Sequence, residues 1–372
     1  MIEIIEVKNK SMMKKFVTFP LKLYKDNVNY VPSLYVDEMN LLKPKKNLML
    51  GNCIAKCFLA IKDNKVVGRV CAIISPDSNA SHNEKCISFS RLDMIDDIEV
   101  TKALLDAVIK FGKENGLNEI HGPWGFNDAD REGMLTFGFD EYSTFGTAYS
   151  FEYYHKHMEA LGYKKESEWS EYRIYPKEID PRYKRIAEHL KKRNYIDIVK
   201  QMPLKKVIKK YGDKFFECYN RAYANLDNFV PVDGRQRKSM LKTFATILNP
   251  HFFCLLINEK DDVIAFAVGL PYIGEVIHNC QGKIIKGIFP LLRTIKNPDR
   301  VELALIAVDP IYQNSGVHAL MLANFGDDCV KYNVKDVVAD PILTTNIKTQ
   351  NIWAGSHVDL RAKRQTYRKV IQ

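Results

Sequence analysis

The sequence predicts an α/β (α+β mixed) chain made of two tandem lobes, each a mostly antiparallel mixed sheet flanked by helices. Three observations predict it. At 372 residues the chain exceeds the roughly 250 to 300 residues at which single cores stop growing. A hairpin, a strand, a helix and a strand follow one another in that order twice, roughly 190 residues apart. In the second copy a buried strand runs into a short polar turn that opens a helix.

The elements follow from pattern and punctuation. Ile2 to Val7 alternates as a strand, and Met12 to Tyr24 reads as a helix before a segment punctuated by Pro32 and Pro44. Apolar runs Ile54 to Ile61 and Val66 to Ile74 flank Lys62-Asp63-Asn64-Lys65, a polar turn suited to a hairpin. Cys86 to Met94 is a further strand, and Val100 to Asn115 carries a helical stripe (Ala103, Leu104, Ala107, Val108, Phe111) ended by Gly116. Glu119 to Gly122 closes the first set. After a proline-marked join at Pro176 to Pro181 and a helix through Arg193, helices at Tyr211 to Ala224 and Gln236 to Leu248 precede a second hairpin, Phe252 to Ile257 with Val263 to Leu270. Val301 to Val308, a helix from Val317 to Tyr332 and Val337 to Asp340 complete it. The expected division is a first lobe over 1–176, a linker helix over 177–200 and a second lobe over 201–372.

Composition narrows the function classes. With 46% hydrophobic residues, 19 Tyr and 19 Phe, both lobes have enough apolar side chain to offset the entropy of ordering. The N-terminus shows no leader pattern and no run approaches the roughly 20 apolar residues of a membrane span, so a cytoplasmic chain without a membrane partner is expected. Cys53 and Cys57 share one strand face, Cys71 and Cys254 lie in apolar runs, and no CxxC or zinc spacing occurs; buried thiols and no metal are expected. A serine-hydrolase elbow is absent, and His155 and His157 fall on different sides of a helix. The net charge of +10 suits nucleic acid, an anionic membrane or a polyanionic small molecule alike. The basic clusters Arg182 to Arg193 and Arg361 to Lys369 lack base-stacking motifs, so nucleic acid is not expected.

The chemistry concentrates where Leu303 to Val308 stops at Asp309-Pro310 and Ile311-Tyr312-Gln313-Asn314-Ser315-Gly316-Val317-His318 leads into a helix. Such a turn aims free N–H groups and a helix dipole at one point, a seat for phosphate. Gly316 lets an anion come close because it has no Cβ. An ordinary capped turn is the competing reading.

The run Val308-x-Pro310-x-Tyr312-Gln313-x-x-Gly316 resembles the signature of the GNAT acyltransferases, whose loop amides hold the pyrophosphate of coenzyme A. The resemblance implies acetyl-CoA or another acyl-CoA as co-substrate, held by Gln313, Asn314, Ser315, Gly316, Val317 and His318, with backbone groups of Ile306 and Val308 exposed to pantetheine. His318 departs from the family's usual Gly or Ala. Asn346 and Asn351 compete for the role of the family's coenzyme-contacting Asn, on a helix-like stretch that reaches Ala354. The first lobe lacks the signature: Leu92 to Glu99 offers four carboxylates and no glycine, which repels a pyrophosphate. Its unusual loops, Gly122 to Asp128 and Gly138 to Glu141, resemble stretches of tandem GNAT-like proteins of bacteria.

Acyl transfer from a thioester to an amine needs a base, an oxyanion site and an acid for the thiolate. By period two Glu302 shares a face with Ala304, Ile306 and Val308, and it is the expected base; a solvated strand-end glutamate is the bland alternative. The family's acid, a tyrosine after the fifth strand, has no match, since Trp353 and His357 occupy that stretch and Tyr367 lies beyond it. Together these imply N-acyl transfer to a small amine or amino-acid-like acceptor. A peptidoglycan-bridge-type aminoacyltransferase using aminoacyl-tRNA, or a non-catalytic acyl-CoA-binding protein, are the alternatives. A homodimer stays open.

Overall fold

A computed structural model describes residues 1–126, 130–178, 180–191, 196–199, 202–224, 226, 229, 231–353 and 356–371. In chain order the elements are β1 (Glu3–Glu6), α1 (Lys10–Leu23), α2 (Tyr35–Met39), β2 (Ile54–Lys62), β3 (Lys65–Ile74), α3 (Pro76–His82), β4 (Cys86–Met94), α4 (Ile98–Glu114), β5 (Glu119–Gly122), β6 (Met134–Phe137), α5 (Tyr153–Ala160) and β7 (Lys164–Ile174). Then come α6 (Arg182–Lys191), β8 (Ile196–Ile198), α7 (Leu204–Tyr223), α8 (Gly234–Ile247), β9 (Phe253–Asn258), β10 (Val263–Pro271), α9 (Gly274–Asn279) and α10 (Ile288–Lys296). The last are β11 (Arg300–Val308), α11 (Val317–Lys331), β12 (Asp336–Ala339), β13 (Ile342–Leu343), α12 (Ile347–Gln350) and β14 (Val358–Val370).

The chain forms two compact units. The first comprises Met1–Ser170, Gly274–Ile288 and Ala362–Gln372, the second Glu171–Ile273 and Phe289–Arg361. This differs from the expected division at 176 and 201. Strands β7 and β14 each carry the chain from one unit to the other, and α6, expected as a linker, belongs to the second unit. A strand that crosses a boundary leaves no proline- or glycine-rich break for a sequence reading to find.

In the first unit the strands run in the order β1, β2, β3, β4, β5 and the end of β14, with β6 paired to β14. All described pairs are antiparallel except β4 with β5. Period-two alternation sorts the β2–β3 hairpin onto two cores. Phe58, Ala60, Val70 and Ala72 meet Val100, Leu104 and Val108 of α4, while Cys57, Leu59, Cys71 and Ile73 meet Met13, Phe16 and Val17 of α1. The hairpin turn places Asp63 and Asn64 at φ 50° and 60°, the left-handed pair that a two-residue turn demands. The eight cysteines are free thiols, seven of them buried.

The second unit repeats the plan. Its order is β8, β9, β10, β11, β12 and the end of β7, and β11–β12 is its parallel pair. Ile264, Ala265 and Ala267 of β10 face Val317, Leu320 and Met321 of α11. Val263, Phe266 and Val268 face Phe215, Phe216 and Tyr219 of α7. Strand β11 is thereby held between two helical layers, and its end is fixed in space.

Candidate functional site

Strand β11 is longer than its neighbour. The parallel register with β12 runs from Arg300↔Asp336 to Leu303↔Ala339 and stops there, with a last bond from Asp340 N–H to the Leu303 carbonyl (3.2 Å). Leu305 to Val308 keep β10 on one side while Ala304 bulges out of register, and Ala304 to Val308 change from buried to half-buried, so this half of the strand is open where β12 has ended. Two of its carbonyls accept side-chain bonds: Ile306 from the Tyr223 hydroxyl (3.3 Å) and Val308 from Gln313 Nε2 (3.5 Å).

The loop after β11 is held from beneath and open above. Buried Asp309 accepts from Ile311 N–H (3.1 Å) and takes Arg221 Nε and Nη2 at 2.8 and 2.7 Å. That double contact ties the strand end to α7. Asn314 and Gly316 then adopt φ of 64° and 84°, which turns the chain sharply into α11. Gly316 is the N-cap of α11 and supplies no side-chain acceptor. Among the described residues, the N–H groups of Asn314, Gly316, Val317 and His318 find no acceptor, whereas Ser315 N–H reaches the Tyr312 carbonyl (3.4 Å). Four free donors at the start of a 15-residue helix are an arrangement suited to an anion, the candidate seat. Gln313, Asn314 and Ser315 are exposed around it.

His318, the departure from the family pattern, is half-buried with its ring edge-on to Tyr183 at 5.9 Å. Burial pushes its imidazole below the usual value, which favours the neutral form over an imidazolium paired with phosphate.

The corresponding turn of the first unit is closed. Asp97 N-caps α4, accepting from Glu99 N–H at 3.0 Å, and also takes Lys62 Nζ at 2.8 Å. Asp93 is buried against Arg69 (2.7 Å) and the Tyr24 hydroxyl (2.9 Å). A carboxylate already occupies the helix N-terminus there. A cavity of about 10 Å³ in this unit, lined in part by Tyr30, Glu38 and Arg69, has room for one water-sized group.

The structure gathers Ile306, Val308, Gln313, Asn314, Ser315, Gly316, Val317 and His318 around one strand-to-helix turn. Glu302 lies on the same strand but is 2% exposed, so the bland reading of a solvated strand end is corrected: β11 begins at Arg300 and is flanked on both sides at this position. Asn346 caps α12 by accepting from Thr349 N–H (3.1 Å), and Asn351 is the exposed C-cap of that helix. Ala354 lies outside the described residues, as do Asn127 and Asp128 of the Gly122 to Asp128 loop. Tyr223 was missed from sequence. It stands on α7, far from the open strand in the chain, and no local pattern marks it.

Among the described residues, one group has metal-ligand chemistry: Glu84, Cys86 and His121, whose donor atoms lie within 4.8 Å of one another. The strands β4 and β5 bring it together, which spacing in sequence does not show. Arg368 Nη2 lies 2.8 Å from Glu84, 2.6 Å from Glu166 and 3.5 Å from His121 Nδ1. The guanidinium takes the place a cation would take, and both His121 nitrogens are engaged, by Glu166 and by Ser88. The group is an internal ion network.

No family model matches the chain. It is 26% identical over 279 residues to protein YghO of Escherichia coli, covering 74% of this chain and 70% of that one. It is 22% identical over 291 residues to a bacterial ceramide synthase of Caulobacter vibrioides, covering 76% and 73%. Among solved structures, a tandem GNAT protein from the clavulanic acid biosynthesis pathway superposes with a TM-score of 0.58 at 10% identity, covering 100% of this chain and 99% of that one. The duplicated unit, the strand β11 that runs on past the end of β12 and the glycine-capped helix α11 accord with that likeness: the chain has a tandem GNAT-like fold.

Proposed function

We propose that the chain is an acyl-CoA-dependent N-acyltransferase whose second unit binds the coenzyme. The observation that carries this is the seat at Asn314 to His318, with four free N–H donors beside the open half of β11. The amine nitrogen attacks the thioester carbonyl carbon, the C–S bond breaks, the base takes a proton from the amine, and the departing thiolate takes one from the acid. Glu302 is the carboxylate within β11 and serves as the base. Asp309 is already committed to Arg221 and the Ile311 N–H. Tyr223, whose hydroxyl meets the Ile306 carbonyl, serves as the acid.

For the acceptor, similarity to a bacterial ceramide synthase over 76% of this chain favours a long-chain amino alcohol over the small amine first expected. A ceramide is an N-acylated long-chain amino alcohol, so its formation is the same bond-making step.

Calorimetric titration with coenzyme A and acetyl-CoA tests the seat. Asn314→Asp adds a charge at an exposed position whose left-handed backbone Asp tolerates, and it should weaken binding at least about tenfold. No binding by the parent chain would overturn the coenzyme assignment and return the reading to aminoacyl transfer. Release of free coenzyme A, followed with acetyl and long-chain acyl donors against amino acids and a long-chain amino alcohol, then distinguishes the acceptors.

A further inference from the structure

No helix among the described residues is long and apolar enough to cross a membrane, but one short stretch carries an exposed apolar face. Four of the exposed large apolar side chains fall within one short run: Ile285 at 89%, Ile288 at 38%, Phe289 at 83% and Leu292 at 56% exposure. The turn Ile284–Gly287 passes into α10 through Ile288 in helical conformation (φ −61°, ψ −42°). Positions 285, 288, 289 and 292 therefore share one face of a continuous helical stretch. Leu291 is buried on the other side, and Asn249 Nδ2 donates to the Ile295 carbonyl at 2.9 Å. The stretch is thus anchored with its apolar face outward.

The charges along this stretch have one sign. Between Glu275 and Asp299 the sequence has no Asp or Glu, and it has Lys283, Lys286, Arg293 and Lys296. At 100° per residue, Lys286 and Arg293 border the apolar stripe along one side and Lys296 continues it. A second protein that covered an apolar face would not require a purely basic border, whereas an anionic lipid surface attracts each of these cations and accepts Ile, Phe and Leu among its acyl chains. The excess of +10 over the whole chain acts in the same direction.

We infer that the Ile285 to Lys296 stretch is an interfacial anchor that docks the protein on an anionic bilayer surface. This departs from the sequence expectation of no membrane partner, which rested on the lack of a spanning segment. It stands apart from the acyl-transfer reading, because the contact needs neither the coenzyme seat nor an acceptor.

The full chain is sedimented with vesicles of phosphatidylcholine alone and of phosphatidylcholine with phosphatidylglycerol. Uptake by the anionic vesicles, weakened by added salt, is expected. F289S/L292S should lower the partition coefficient at least about tenfold through lost apolar burial, and R293E/K296E by at least about as much through charge. All four side chains are outside the core, so thermal melts should match the parent. Parent protein that stays in the supernatant with anionic vesicles, or variants that partition as the parent does, would overturn the anchor. A salt-insensitive dimer in sedimentation velocity that F289S/L292S dissolves, without vesicle uptake, would assign the face to a second copy of this chain and overturn it equally.

Discussion

Arg221 grips the Asp309 carboxylate through two N–H groups, Nε at 2.8 Å and Nη2 at 2.7 Å, and so fixes the end of β11 to α7. Asp309 is 2% exposed while the Arg221 side chain is about half exposed. Removing the arginine would leave a buried carboxylate with water access on one side. Arg221→Ala should therefore cost about 1–3 kcal/mol, less than a fully buried pair, and Arg221→Lys should restore part of it. Urea unfolding measures the loss. Since Asp309 also orients the turn into the seat, coenzyme A affinity should fall with it.

Gly316 has φ 84°, and a Cβ there would lie 3.1 Å from Ile186 Cγ2 and 3.4 Å from Leu190 Cδ1 of α6. Two separate penalties follow for Gly316→Ala: the left-handed backbone, about 1–2 kcal/mol, and crowding against α6. Ile186 is partly exposed, so Ile186→Ala removes the crowding at little cost of its own. The double variant should recover only the steric share, and denaturant melts of the four proteins in the cycle will separate the two.

How much of this was legible in the sequence depends on the range of the interaction. The hairpins, α4, α11 and the Asp309 to Gly316 turn were readable because each rests on neighbours in the chain. Strand β7 was not, since KKESEWSEYRI has too many polar residues for an apolar run and takes its place through pairing with distant strands. Period two gave Glu302 neither its face nor its depth: a bulge at Ala304 shifts the alternation, so that Ile306 and Val308 pack with Val301 and Leu303 rather than share a face with Glu302, and the depth is set by β10 and β12 on either side. Tyr223 reaches Ile306 from a helix 83 residues earlier in the chain. The four carboxylates of Leu92 to Glu99 were read as repelling phosphate; the structure adds that Asp97 is itself the cap.

Removing that cap tests whether the first unit's turn is only closed or is intrinsically unable to bind. Asp97→Ala should cost about 1 kcal/mol as an N-cap loss. It should create no second coenzyme site in calorimetry, because Asp93 remains and no glycine opens the turn. A stoichiometry of two would show that the cap alone silenced the first unit.

Acid stability should report the Glu166 network. Burial alone would raise this carboxyl, but the His121 bond and charge, Arg368 and the Trp124 N–H outweigh it and hold it at about 2 against an ordinary value of 4.5. A carboxyl depressed in the folded state stabilises fully above its unfolded value and loses that contribution as pH falls through the folded one. The window is therefore about pH 4.5 down to 2, and the amount on the order of 3 kcal/mol. Glu166→Gln should flatten the stability curve in that window. A curve unchanged from the parent would mean that the network contributes nothing of the kind.

The proton-transfer assignments predict unequal losses. Glu302→Gln keeps the buried volume and removes only the charge, so coenzyme affinity should hold while turnover falls by about a hundredfold to ten-thousandfold, as for loss of a general base. Tyr223→Phe should cost much less turnover, about tenfold. The departing group is a thiolate whose conjugate acid titrates near 8.5, so it needs little help at neutral pH. The same variant gives up the bond to the Ile306 carbonyl at about 1 kcal/mol of stability. Steady-state kinetics beside binding titrations will separate these effects: turnover unchanged in Glu302→Gln would remove the base from β11, whatever the seat at Gly316 binds.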